Sequence, residues 1–91
     1  MDNPPIQWSL EALDLMNKKG LYRHYKGGMY QLLEVAFHSE TLEELAVYRE
    51  LYDNYDVSVR PLKMFIETVE MDGQRVPRFA YIGAGDAAKY N

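Results

Sequence analysis

Cysteine is absent from this 91-residue chain, so neither disulfides nor thiolate-bound metals hold its fold, and nothing in it points to an oxidising compartment. No apolar run approaches the ~20 residues needed to cross a bilayer. The start Met1-Asp2-Asn3-Pro4-Pro5 lacks the basic-then-apolar order of a secretory leader. A cytoplasmic protein with no membrane contact is the expectation. Positive charge is also scarce, since 14 acids outnumber 10 bases for a formal charge of -4. That balance argues against wrapping a long nucleic acid, which relies on many cations releasing counterions. Gly83 and Gly85 lack the downstream Lys-Ser/Thr pair of a phosphate loop. No nucleophile, metal or cofactor set is complete, so no cofactor is expected.

What is present is a globular composition, 47% hydrophobic, at a length near the lower limit for one self-sufficient core. Eight tyrosines against three phenylalanines stand out. A buried phenol needs a partner for its hydroxyl, so several tyrosines are expected at a pocket rim or a subunit contact.

The pattern predicts one domain over residues 9–82, between a flexible lead (1–8) and a flexible tail (83–91). Ser9 is a good N-cap, and Leu10, Leu13, Leu15 and Met16 follow at near-helical spacing. Lys18 and Lys19 suit the negative end and Gly20 a left-handed stop, which together predict a helix over 9–19. It is too short to stand alone and must pack on the domain or in a homodimer, where a surplus apolar face is readily hidden. Leu21–Lys26 and Met29–His38 read as strands around Gly27-Gly28. Ile66–Met71 and Arg75–Ile82 read as a second hairpin around Asp72-Gly73, with Pro77 marking an edge or bulge. Val57-Ser58-Val59 is a short strand ended by Pro61, and Leu62–Phe65 a single tight turn. The middle is ambiguous: Thr41-Leu42-Glu43-Glu44 fits a capping box, yet residues 45–52 also alternate at period two. The core is expected from Leu32, Val35, Val47, Leu51, Val59, Phe65, Val69 and Phe79, with Met29, Met64 and Met71 filling gaps.

Chemistry concentrates in Tyr22-Arg23-His24-Tyr25-Lys26, a cationic and aromatic stretch in an acidic chain. Arg60 before Pro61 and Arg78 after Pro77 sit where strand ends rim clefts. Guanidinium forks fit phosphate or carboxylate, and Tyr22, Tyr25, Tyr30 and Tyr48 offer ring faces and hydroxyls. This composition suits a non-catalytic site for a small anionic or nucleotide-like molecule, drawing on Tyr22, Arg23, His24, Tyr25, Lys26, Tyr30, His38, Tyr48, Arg60 and Arg78. The competing structural reading pairs the arginines with Glu40, Glu43, Glu44, Glu67 or Glu70, and seals the core edge with tyrosines. A protein-interaction module for an extended peptide is the alternative function. A small hydrolase using His24 or His38 with Glu40 is a second alternative. His38-Ser39-Glu40-Thr41 itself reads as a turn rather than a nucleophile site.

Tyr22–Gly27, His38–Thr41, Tyr48-Arg49-Glu50-Leu51-Tyr52, Val59-Arg60-Pro61, Met64-Phe65 and Val76–Phe79 together resemble the ordered signature of a family of small bacterial and phage domains of uncharacterised function. The resemblance covers residues 21 to about 82. It implies a mainly β fold of the SH3-like kind, a strongly bent antiparallel sheet or barrel of five to six strands, preceded here by one helix. It also implies that Glu44–Tyr52 is a strand, because relatives can carry proline there. A phage relative sequestering a signalling nucleotide would be one use of such a domain.

Overall fold

The computed structural model describes residues 7–85. Expectations for residues 1–6 and for the tail beyond residue 85 lie outside the described residues. The elements run α1 (Leu10–Met16), β1 (Gly20–His24), β2 (Met29–Phe37), β3 (Glu44–Glu50), β4 (Val57–Pro61), α2 (Leu62–Ile66), β5 (Thr68–Met71), β6 (Gln74–Pro77) and β7 (Phe79–Gly83). Five strands form an antiparallel sheet in the order β4-β3-β2-β1-β7, and β5 with β6 form a separate two-stranded sheet.

The expected mainly β fold with a helix at its start is present, but the sheet does not close into a barrel. Two features keep it open. First, α2 follows β4 directly and sets Leu62 and Phe65, 2% and 1% exposed, into the core that a closing sheet would occupy. Second, the run expected as one strand over 75–82 breaks at Arg78, whose N–H donates to the Glu67 carbonyl while its carbonyl accepts from Tyr25 N–H. The residues before the break stay with β5, and those after it join β1.

Ser9 caps α1 as expected: its hydroxyl oxygen accepts from Ala12 N–H at 3.0 Å. The helix ends early, at Asn17, whose backbone is right-handed. Gly20 is therefore not the helix stop. Its φ of 134° places it in the first position of β1, where an added Cβ would lie 2.5 Å from the Gly83 carbonyl oxygen. Glycine is required there by close approach of the two strands.

The ambiguous middle segment is β3. Leu42 takes φ 63°, which a helix starting at Thr41 forbids, and His38 and Glu43 close the β2–β3 turn through backbone bonds. Glu44 does not complete a capping box on its own segment. Its carboxylate accepts from Ser9 N–H at 2.7 Å and from Ser9 Oγ–H at 2.6 Å, and so ties α1 to β3. Asp72 and Gly73, with φ 52° and 79°, form the expected tight hairpin between β5 and β6.

Register and alternation place Tyr22, His24, Tyr30, Leu32, Ala46, Tyr48, Arg60 and Phe79 on the inner face, under α2. Of the expected core, Leu32, Val35, Phe65 and Phe79 are buried. Val47, Leu51 and Val69 are half-buried, as is Met29. Val59 is 57% exposed, because it points outward from edge strand β4, and Met64 and Met71 are each 44% exposed. Tyr22, Tyr48, Ala12, Leu15, Ala46 and Leu62 fill the interior instead. Phe65 stacks nearly parallel on Phe79, with centroids 4.4 Å apart, and carries Tyr22 and Tyr48 on its flanks.

Truncating Phe65 to alanine removes the ring that seals this face and should lower unfolding stability by about 3–5 kcal/mol. Ser9→Ala, which removes the cap, should cost about 1 kcal/mol. Urea titration followed by tyrosine fluorescence measures both.

Candidate functional site

Phe79 opens β7 opposite His24, the last residue of β1, so strand pairing brings their side chains together. The imidazole meets the Phe79 ring edge-on at 4.9 Å between centroids, and Tyr30 meets the same ring at 5.3 Å. From β4, across the sheet, the Arg60 guanidinium carbon lies 5.7 Å from the Phe79 centroid. Arg60 Nε–H donates to the Tyr48 hydroxyl oxygen at 3.2 Å, which fixes the stem of the guanidinium. Among the described residues no carboxylate lies within ion-pair distance of Arg60. An arginine held on an aromatic ring by a phenol, with no carboxylate partner among the described residues, is a natural anion partner.

Arg78 also converges here, but its charge is matched. Its Nη2 and Nε donate to one oxygen of Glu67 at 2.6 and 3.0 Å. Lys26 Nζ lies 5.8 Å from the Tyr25 ring, which packs against His24 at 4.7 Å. Beside these residues a shallow depression of about 260 Å³ is lined by Arg23, His24, Tyr25, Met71, Val76 and Pro77. A smaller hollow of about 190 Å³ lies by Glu43, Glu44, Leu62 and Lys63, where Glu44 is already engaged with Ser9.

Electrostatics follow from this crowding. Burial first, then Arg78, Arg60 and Lys26, push the His24 imidazole below its ordinary basicity. Burial, and then the hydrogen bond with Tyr52, raise the Tyr30 phenol, so it stays protonated. The His24 Nδ1 accepts from Lys26 N–H at 3.1 Å. The neutral ring therefore carries its proton on Nε2.

The ten residues expected at the site fall into three groups. His24, Tyr25, Lys26, Tyr30, Arg60 and Arg78 gather around Phe79 or the turn beside it. Tyr48 lies beneath, 7% exposed, and serves by holding Arg60. The other three sit elsewhere. Tyr22 is 3% exposed, and its hydroxyl donates to the Lys18 carbonyl. Arg23 is exposed on the outer face and reaches only the adjoining depression. His38 lies at the far end of β2, whose nine residues span roughly 30 Å. Its Nδ1 accepts from the Glu40 and Thr41 amides, a turn-forming role, so His24, His38 and Glu40 do not meet. Glu67 pairs with Arg78, as the structural reading of the arginines anticipated, and Phe79, expected only as core, also floors the cluster. Tyr52 takes part without having been singled out as a site residue, through its contact with Tyr30.

The family described as protein of unknown function (DUF1653) matches residues 20–81. A crystal structure of a DUF1653 protein from Bordetella bronchiseptica is similar to this chain, with 40% sequence identity and a TM-score of 0.69. The similarity covers 78% of this chain and 96% of that one. Comparison with curated proteins gave no match. The chain belongs to the DUF1653 family.

The lowered basicity of His24 predicts a pH signature. The unfolded chain takes up this proton before the folded one does, so stability is full above about pH 6.5, the ordinary imidazole value, and declines on acidification below it. Denaturation midpoints measured across that range should lose this component in His24→Gln. An identical pH profile for the variant would contradict the placement of His24 among cations.

Proposed function

We propose that this DUF1653 domain is a non-catalytic binding domain for a small anionic, nucleotide-derived molecule, seated where Arg60, His24 and Lys26 border the rings of Phe79, Tyr30 and Tyr25. The observation that carries this reading is Arg60: its guanidinium lies against Phe79, is oriented by Tyr48, and has no carboxylate partner among the described residues. Phosphate or carboxylate supplies the missing partner, and the half-buried rings of Tyr25 and Tyr30 offer surface to a planar base. Arg78 adds field while Glu67 fixes its position. A site built of donors and ring faces suits sequestration of such a molecule rather than its turnover.

Calorimetric titration with inorganic phosphate and with mono-, di- and cyclic nucleotides tests the reading. At least one nucleotide should bind, and Arg60→Ala should weaken it by about ten- to a hundredfold, the loss of one charge-assisted contact. Flat traces across the panel, or an Arg60→Ala protein that binds as well as the parent, would refute it.

One feature favours a second reading. Edge strand β4 exposes Val57 and Val59, at 48% and 57%, and has β3 alone beside it among the described strands. An extended peptide could add there as a further strand. Peptide binding that perturbs β4 amides and survives Arg60→Ala would support that use instead.

A further inference from the structure

The anion-site reading has a protonic consequence at His24, the one imidazole in the cluster. Arg60 approaches it from β4, Arg78 from the junction of β6 and β7, and Lys26 from its own turn; Tyr25, Tyr30 and Phe79 pack around the ring. Of the three cations, Arg78 alone is paired with an acid among the described residues, Glu67. The imidazole is thus held uncharged, with Nδ1 occupied by the Lys26 amide.

An anion beside Arg60 reverses each of these conditions. It offsets the cations that disfavour an imidazolium and gives the charged ring a partner. The incoming proton must enter at Nδ1, since Nε2 already carries one, and it displaces the Lys26 amide. That amide lies at an exposed position, so it is free to turn to an incoming anionic oxygen instead. The turn itself stays closed, because His24 and Gly28, and His24 and Gly27, are joined by separate backbone bonds of 2.7 Å.

Resting on the anion-site reading, we infer that binding of a small anion draws one proton from solvent onto Nδ1 of His24, while the Lys26 backbone amide transfers its hydrogen bond from the imidazole to the ligand. The only covalent bond formed is Nδ1–H, at the expense of an O–H bond of a hydronium ion. The site therefore tightens on its ligand as pH falls, and it favours ligands of higher negative charge.

Sulfate is a suitable probe because its own charge is constant between about pH 5 and 8, the range in which an imidazole titrates. Nuclear magnetic resonance titrations of the full chain would follow both histidine rings and the Lys26 amide. Saturating sulfate should move the His24 midpoint upward, shift the Lys26 amide resonance and leave the His38 midpoint in place. Sulfate affinity should rise by up to about tenfold per pH unit on acidification. In His24→Gln that slope disappears and binding at the acid end weakens. Sulfate that saturates the site with the His24 midpoint and the pH slope unchanged would overturn the proton coupling and leave the anion site standing. Sulfate that perturbs nothing near Arg60 at any pH would overturn both.

Discussion

The stack of Phe65 on Phe79 is the contact on which both the fold and the site depend. Phe65 comes from α2 and Phe79 from the start of β7, so their union holds the short helix against an open sheet. Both rings are nearly inaccessible to water, and burying two phenylalanines supplies several kcal/mol to a domain small enough to need it. The same Phe79 ring contacts His24, Tyr30, Tyr48 and Arg60. Core and candidate site are therefore continuous, and the guanidinium rests on a floor that packing makes rigid.

Rigidity of that floor bears directly on binding. Arg60 is not a free surface side chain that must be ordered when a ligand arrives, because Tyr48 and Phe79 already restrict it. Tyr48 in turn is buried between Tyr30, Phe65 and Phe79. Arg78 shows the other use of an arginine. Bound twice to Glu67, it pins the junction between the two sheets and contributes charge at a distance. The family match spans residues 20–81, so this cluster and all of the sheet but the end of β7 lie within the shared domain, while α1 precedes it. Glu44 is the link between the two, accepting both the amide and the hydroxyl of Ser9.

Local chemistry made much of the fold legible. Ser9 as a cap, Asp72-Gly73 as a tight turn and Pro61 as the end of a strand all follow from side-chain preference within a few residues, whereas the tight turn expected over Leu62–Phe65 is a short helix, Leu62–Ile66. What failed depended on partners distant in the chain. Glu44 looked like part of its own segment's cap because Ser9, its actual partner, lies 35 residues away. Val59 looked like core because β-branched residues usually are, and only its edge position exposes it. The barrel expectation came from resemblance, and it missed that α2 fills the space a closed sheet would use. At the site, residue types pointed to cations and rings without saying which would meet. Tyr22 and Arg23 are the two residues before His24, yet one is core and the other faces outward. Arg60 is 36 residues from His24 in sequence, and strand order alone brings both to Phe79.

The Arg60 guanidinium, with no carboxylate partner among the described residues, and the His24 imidazole share the Phe79 ring, and we propose that an anion binds there. Anomalous diffraction from crystals soaked in selenate examines that claim directly, since a heavy oxyanion marks its own position. The account predicts a difference peak within hydrogen-bonding reach of the Arg60 guanidinium and near His24. Peaks confined to other cations of the surface, with Arg60 turned away from Phe79 onto a carboxylate, would contradict it.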